Sequence, residues 1–286
     1  MNTIPFLTLN DSHSIPQLGL GMWQVPDDQA VPVITEALNA GYRSIDTASA
    51  YENESGTGDA LRKAFDTSSP APLTRGQIFI TTKLWNADHG FDQALKAMDA
   101  SLKRLKLDYV DLYLIHWPLP MRNQYLDTWR ALIRLREEGK AKSIGVSNFN
   151  IDHLQRIIGE TGVVPSVNQV ELHPRFQQTE LRAFHAKHGI VTESWSPLAQ
   201  GALLKDPVIV AIAQKHRRTA AQIILRWHID SGLVVIPKSV TPARIRENMA
   251  LFDFRLDAGD IAAIAKLDVA NKKGRTGPDP EVFSMA

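Results

Sequence analysis

The chain has no cysteine among its 286 residues. Disulfides, thiolate metal centres and cysteine nucleophiles are therefore excluded. It also lacks any excess of one charge: 32 Lys and Arg stand against 31 Asp and Glu, a formal net charge of +1. Nucleic acids and anionic membrane surfaces select a basic field, so neither partner is expected. No segment approaches roughly eighteen consecutive apolar residues, so no transmembrane helix is expected. The opening residues, MNTIPFLTLNDSHSIPQ, lack the basic start and apolar run of a secretory signal, and the expectation is a soluble cytoplasmic protein. HExxH, Walker and nucleophile-elbow motifs are missing. So is the GxGxxG fingerprint of an open dinucleotide-binding sheet: Gly19-Leu20-Gly21 and Gly56-Thr57-Gly58 each begin it without the third glycine.

What the chain has is a 44% hydrophobic content, enough for a substantial core, arranged as a repeated alternation. Short apolar runs at Gly19–Met22, Ser44–Asp46, Ile78–Thr82, Val110–Ile115, Ser143–Val146, Val167–Val170, Ile190–Glu193 and Leu233–Ile236 read as strands buried on both faces. Between them apolar residues recur every three or four positions, as in Ala94, Leu95, Met98, Leu102 and Leu105. Thr219 with Gln222 has the form of a capping box, and Gly41, Gly139, Gly189 and Gly232 stand where helices end. Eight strand–helix units of this size predict a single (β/α)8 barrel domain over residues 1–286. Phe6 to Ile15 reads as a hairpin outside the eightfold count, Asp257–Leu267 as an extra helix, and the residues from Asn271 as an irregular tail. The tail is short, so an open site is expected.

In such a barrel the chemistry sits at the C-terminal ends of the strands. Asp46, Lys83 and His116 fall at three successive strand ends, followed by Ser147-Asn148, Gln169, Ser194-Trp195 and Lys238-Ser239. Taken singly, the aspartate reads more readily as a helix cap, the lysine as a solvated side chain and the histidine as a satisfied core residue than as functional groups. Their convergence on one rim favours function. Trp23, Trp85 and Trp117 lie just beyond strand ends, either as apolar walls of a substrate pocket or as packing under loops. His185 and His188 are three apart on a predicted helix without a third ligand, so they read as surface residues and no metal site is expected.

GYRSIDTASAYENE (Gly41–Glu54), TTKLW (Thr81–Trp85), DLYLIHWP (Asp111–Pro118), GVSNF (Gly145–Phe149), NQVELHP (Asn168–Pro174) and IPKSVTPARIRENM (Ile236–Met249) occur in that order. Together they resemble the motifs of the aldo-keto reductase family, and most nearly its bacterial branch that includes 2,5-diketogluconate reductases. The resemblance spans essentially the whole chain. It implies NADPH-dependent reduction of an aldehyde or ketone through a tetrad of Asp46, Tyr51, Lys83 and His116. The open site expected from the short tail favours small aldehydes, dicarbonyls or keto-sugars as substrates, and a monomer is the default expectation. The resemblance is also what selects Tyr51 from five tyrosines.

The residue types suit that chemistry. Hydride addition to a carbonyl creates an alkoxide that needs a proton, and a tyrosine beside an ammonium is a competent acid. Lys83 is expected to lower the Tyr51 pKa, Asp46 to hold Lys83 charged, and His116 to donate a hydrogen bond to the carbonyl oxygen. The resemblance further implies that Ser147, Asn148 and Gln169 hold the nicotinamide carboxamide and that Trp195 stacks on its ring. Ser196 and Leu198 would lie along the pyrophosphate, Lys238, Ser239 and Arg244 at the 2′-phosphate, and Asn248 near the adenine. Pro242 at the start of a helix independently suits an anion site. Two rival readings stay open: a Schiff-base role for Lys83, as in barrel aldolases, and a reductase-like barrel that only senses NADPH.

Overall fold

The computed structural model describes residues 4–68, 71–269 and 273–285. Phe6–Thr8 (β1) and Ser14–Pro16 (β2) form the predicted antiparallel hairpin with Phe6 opposite Pro16, turning at Asn10-Asp11. Eight parallel strands follow: Leu20–Gly21 (β3), Ser44–Asp46 (β4), Phe79–Leu84 (β5), Val110–Ile115 (β6), Ala141–Ser147 (β7), Val167–Glu171 (β8), Val191–Trp195 (β9) and Val234–Val235 (β10). Each pairs with its neighbour in chain order. The ends then meet, because Gly19 N donates to Val235 O at 3.0 Å and Val235 N donates to Gln17 O at 2.9 Å. This is the (β/α)8 barrel the alternation predicts.

The closing strands β3 and β10 are shorter than the apolar runs suggested. Close approach explains the glycines there: a β-carbon on Gly21 would sit 2.9 Å from the Ile236 carbonyl oxygen. β5 departs in the other direction. It runs past the predicted Thr82, since Lys83 and Leu84 continue the ladder opposite Leu114 and Ile115. Lys83 is thus held within a strand rather than in the loop beyond it.

The outer layer consists of Asp27–Ala40 (α1), Glu54–Ala64 (α2), Phe91–Leu105 (α3), Tyr125–Glu137 (α4), Ile151–Thr161 (α5), Thr179–His188 (α6), Pro207–His216 (α7), Ala220–Asp230 (α8), Pro242–Met249 (α9) and Ala258–Ala265 (α10). α7 and α10 are extra to the eightfold alternation. Helical period decides which side faces the barrel: α3 buries Ala94, Met98, Ser101, Leu102 and Leu105. α8 opens with the expected capping box of Thr219 and Gln222, and α1 ends on Gly41 at φ 107°.

The barrel interior divides along its axis. At the N-terminal end, Leu9 and Ile15 of the hairpin region pack with Phe79, Leu112, Leu114, Val167 and Val234 into a closed apolar plug. The polar side chains gather at the other end. His185 is a correction to the sequence reading. It is buried, with Nε2 3.0 Å from Asn168 Nδ2 and Nδ1 2.8 Å from Thr192 Oγ1, and so ties α6 to β8 and β9. No helix among the described residues is long and apolar enough to cross a membrane.

Candidate active site

β4, β5 and the turn after β4 bring three of the predicted residues into contact. Lys83 Nζ, wholly buried, donates to Asp46 Oδ1 at 2.6 Å, to Thr47 O at 3.0 Å and to the Tyr51 hydroxyl at 3.3 Å. An ammonium has three hydrogens, and each has an acceptor. Lys83 therefore occupies a lone pair of the Tyr51 oxygen and leaves the phenolic hydrogen free to be donated elsewhere. The Tyr51 side chain gets there through a single 3₁₀ turn, Ser49–Tyr51, closed by Tyr51 N donating to Ala48 O. His116, just after β6, meets the Tyr51 ring edge-on at 5.6 Å between centroids.

Electrostatics assigns these groups their charge. Burial works against a charged Lys83, but Asp46 and Tyr51 outweigh it and hold its pKa up at about 12. An amine so protonated and so fully hydrogen-bonded has no lone pair for a Schiff base. Tyr51 differs from the expectation. Burial raises its pKa, and the pull of Lys83 in the other direction does not overcome it. Burial, reinforced by Lys83, pushes His116 well below the usual imidazole range, so its ring is neutral. Its Nδ1 is buried without a partner among the described residues.

The cluster continues across the barrel. Gln169 Nε2 donates to Asp46 Oδ2 at 2.8 Å and to Glu193 Oε2 at 2.9 Å. Ser147 Oγ donates to Gln169 O, while Asn148, in the left-handed region at φ 65°, donates from Nδ2 to His116 O and Ser147 Oγ. Trp195 Nε1 donates to Asn148 Oδ1 at 2.9 Å. Asp46, Tyr51, Lys83, His116, Ser147, Asn148, Gln169 and Trp195 thus form one connected rim. Each polar side-chain atom of Ser147 and Asn148 already has a partner within the protein. Gln169 Oε1 accepts from none of the described residues.

The remaining predicted cofactor residues lie apart from this cluster. Ser196, at φ 47°, and the half-buried Leu198 follow β9. Lys238, Ser239 and Arg244 surround the start of α9, where Ser239 Oγ accepts from Thr241 N and Pro242 occupies the first turn without a side-chain cap. Arg246 pairs with Glu36, whereas Lys238 and Arg244 are exposed and form no ion pair among the described residues. Asn248 is buried one turn further on. An uncapped helix start beside two unpaired cations fits a phosphate.

The three tryptophans separate. Trp85 meets the His116 ring at 5.1 Å, and Trp117 is buried with its ring 4.1 Å from Phe283. Trp23 stands 47% exposed and forms no aromatic pair among the described residues. The open site expected from the short tail is corrected. The tail is irregular, but it folds back over the rim: Glu171 accepts from Thr276 N, Thr276 Oγ1 and Gly277 N, and Met285 O accepts from Asn86 Nδ2 at 2.7 Å. Phe283 thereby joins Trp85 and Trp117 in an aromatic wall. Phe283, Glu171 and Glu193 join the site without being among the residues expected there. For Glu193 there was a signal, an acidic side chain inside a strand otherwise suited to burial. For Phe283 there was none.

A profile of the Aldo/keto reductase family matches residues 17–269. The chain belongs to that family of carbonyl-reducing oxidoreductases. It is 54% identical over 281 residues to an aldo-keto reductase of Mycolicibacterium smegmatis, covering 98% of each chain. It is also 53% identical over 279 residues to the methylglyoxal reductase DkgA of Escherichia coli, covering 97% of each. Among solved structures it is similar to a mutant of Gox0644 in complex with NADPH, with a TM-score of 0.93 and 49% identity over 99% of this chain and 100% of that one.

Proposed function

We propose that this protein reduces small aldehydes, dicarbonyls such as methylglyoxal, and keto-sugars to alcohols with NADPH, using Tyr51 as the general acid. The relay Asp46–Lys83–Tyr51 beside a neutral His116 carries the reading. Bound NADPH supplies the hydride that reaches the carbonyl carbon. His116, neutral, donates one N–H to the carbonyl oxygen and orients it. Tyr51 releases its proton to that oxygen, and Lys83, fixed by Asp46 and Thr47, stabilises the tyrosinate left behind. Because burial holds the Tyr51 proton tightly, the phenol stays fully protonated at neutral pH and is ready to donate.

Gln169 Oε1 is the free acceptor for the nicotinamide carboxamide, with Ser147 and Asn148 shaping the same wall and Trp195 offering its ring face. Ser196 and Leu198 follow the pyrophosphate. Lys238, Ser239, Arg244 and the start of α9 take the 2′-phosphate, with Asn248 toward the adenine. Trp85, Trp117 and Phe283 wall the substrate side, and Trp23 completes it at the exposed edge. We read the chain as one domain, supported by a barrel that closes residue 19 onto residue 235. We also read it as a cytoplasmic monomer, where NADPH is regenerated and where a near-zero net charge suits small-molecule substrates rather than nucleic acid or membrane.

The test is NADPH consumption with methylglyoxal, an aromatic aldehyde and 2,5-diketogluconate, comparing wild type with Tyr51→Phe. Wild-type turnover falling by about 10²–10⁴-fold in the variant is the expected result. Tight NADPH binding with no turnover on any of the three would replace this reading with an NADPH sensor.

A further inference from the structure

β9 carries an acidic side chain, Glu193, into the barrel interior, where it is 1% exposed. Its only hydrogen bond among the described residues joins Oε2 to Gln169 Nε2 at 2.9 Å, and the same nitrogen donates to Asp46 Oδ2 at 2.8 Å. A side-chain amide nitrogen has two hydrogens. Both are spent, on carboxyl groups from opposite sides. Asp46 is ion-paired to Lys83 and can only accept, so the amide nitrogen must face it. The second N–H is then satisfied only because Glu193 is there. What remains of Gln169 is Oε1, an acceptor, and a carboxamide N–H is the group it can receive.

We propose that Glu193 is a positioning residue, which locks the Gln169 amide with its nitrogen held between two carboxyls and its oxygen presented to the nicotinamide carboxamide. The inference rests on the NADPH reading above and deepens it. Its physical basis is the cost of an unmade bond. With Glu193 removed, a buried N–H loses its partner, and the amide is free to rotate toward any other acceptor. The charge around the residue is consistent with the role. Gln169 from β8 touches it, and Asp46 from β4, Lys83 from β5 and Tyr51 from the turn after β4 act on it through charge. Burial, with Asp46 second, pushes the Glu193 carboxyl up to about 8, against the pull of Gln169 and Lys83. At neutral pH it is mainly an uncharged acid that accepts from Gln169 without adding a charge beside the Asp46–Lys83 pair. A glutamine side chain reproduces that shape and that acceptor.

The experiment is NADPH affinity of the full chain, read by tryptophan quenching, in Glu193→Met, Glu193→Gln, Gln169→Ala and the Glu193→Met/Gln169→Ala double variant. Circular dichroism monitors folding, and Glu193→Ala substitutes if methionine does not fit. The expected result is a rise in Kd of about tenfold in Glu193→Met, and recovery to within about twofold of wild type in Glu193→Gln. No further loss is expected when Glu193→Met is added to Gln169→Ala, as for two residues acting through one group. An unchanged Kd in Glu193→Met, a Glu193→Gln variant as weak as Glu193→Met, or additive losses in the double variant each overturn the proposal. Failure of the NADPH binding on which the proposal rests is distinguishable: there the wild type itself binds no NADPH.

Discussion

The two ends of the barrel interior are built from opposite materials. The N-terminal end is a plug of Leu9, Ile15, Phe79, Leu112, Leu114, Val167 and Val234, with no charge to place. The C-terminal end holds Asp46, Lys83, Gln169 and Glu193, all buried, with His116 and Tyr51 at its edge. The first arrangement gains stability from every apolar group removed from water. The second must offset the desolvation of several ionisable groups, and does so by giving Lys83 three acceptors and Asp46 two donors. The apolar packing and the proposed chemistry thereby lie at opposite ends of one axis, and variants at either end should report on different properties.

The sharpest test of that division is Lys83→Met. Steady-state kinetics should show kcat down by about 10²–10⁴-fold, since Tyr51 loses its charge partner. Denaturant unfolding should show a loss of about 3–5 kcal/mol, because Asp46 is left buried without its counter-ion. Chemistry and stability falling together would mark the ionic end, and an unchanged stability would break the comparison. At the plug, Ile15→Ala should cost about 2–5 kcal/mol in the same unfolding experiment. Its kcat and KM should stay within about twofold of wild type. A large kinetic defect there would show that the two ends are coupled.

A smaller effect is expected at the periphery. Arg244→Ala should raise the NADPH Kd about tenfold, or about 1.4 kcal/mol, while leaving NADH affinity unchanged, because only NADPH carries the 2′-phosphate. Equal losses for both cofactors would remove Arg244 from that role. The smallest effect concerns pH. The folded-state pKa of Glu193, about 8, lies above its ordinary 4.5. The folded state therefore holds a proton that the unfolded state releases, and this contribution to stability is present in full below pH 4.5 and lost as pH rises through about 8. His89, His185 and His228 are held below their ordinary range by burial and act in the opposite sense. The informative quantity is thus the difference in Tm between wild type and Glu193→Gln. It should shift in favour of the variant between pH 5 and pH 8, and a flat difference would mean that Glu193 is already ionised when folded.

A second pair shows how the same side chain takes two roles at the barrel rim. Glu171 and Glu193 lie on adjacent strands and are both buried. Burial raises the Glu171 carboxyl, but hydrogen bonds from His173, Thr276 and Gly277 outweigh it, and its pKa is lowered overall. Glu193, with one amide donor and Asp46 nearby, is raised. Nothing in the local sequences NQVELHP and VTESW distinguishes an ionised clasp for the tail from a neutral brace for an amide.

Much of the site was nevertheless legible. Asp46, Lys83 and His116 fall at or beside the points where the apolar runs stop, and the motifs around them assign the family. The hairpin and the capping box at Thr219 depend on neighbours a few residues away, so local pattern was enough to locate them. His185 is buried rather than on the surface, because helical period alone cannot reveal that Asn168 and Thr192 lie beneath it. The tail was misread as leaving the site open because its anchors are remote: Asn86 and Met285 are 199 positions apart.

By itself, then, the sequence determined the order of strands and helices, the identity of the rim residues and the exclusion of cysteine chemistry. These depend on period, composition and contacts close along the chain. The tertiary structure decided which acids are charged, that burial outweighs Lys83 at Tyr51, that the tail closes over Trp85 and Trp117, and that Gln169 spends both N–H groups on Asp46 and Glu193. Each of these depends on desolvation and on partners brought together from distant strands, as with Gln169 and Asp46 at a separation of 123 residues, and neither quantity exists until the barrel has closed.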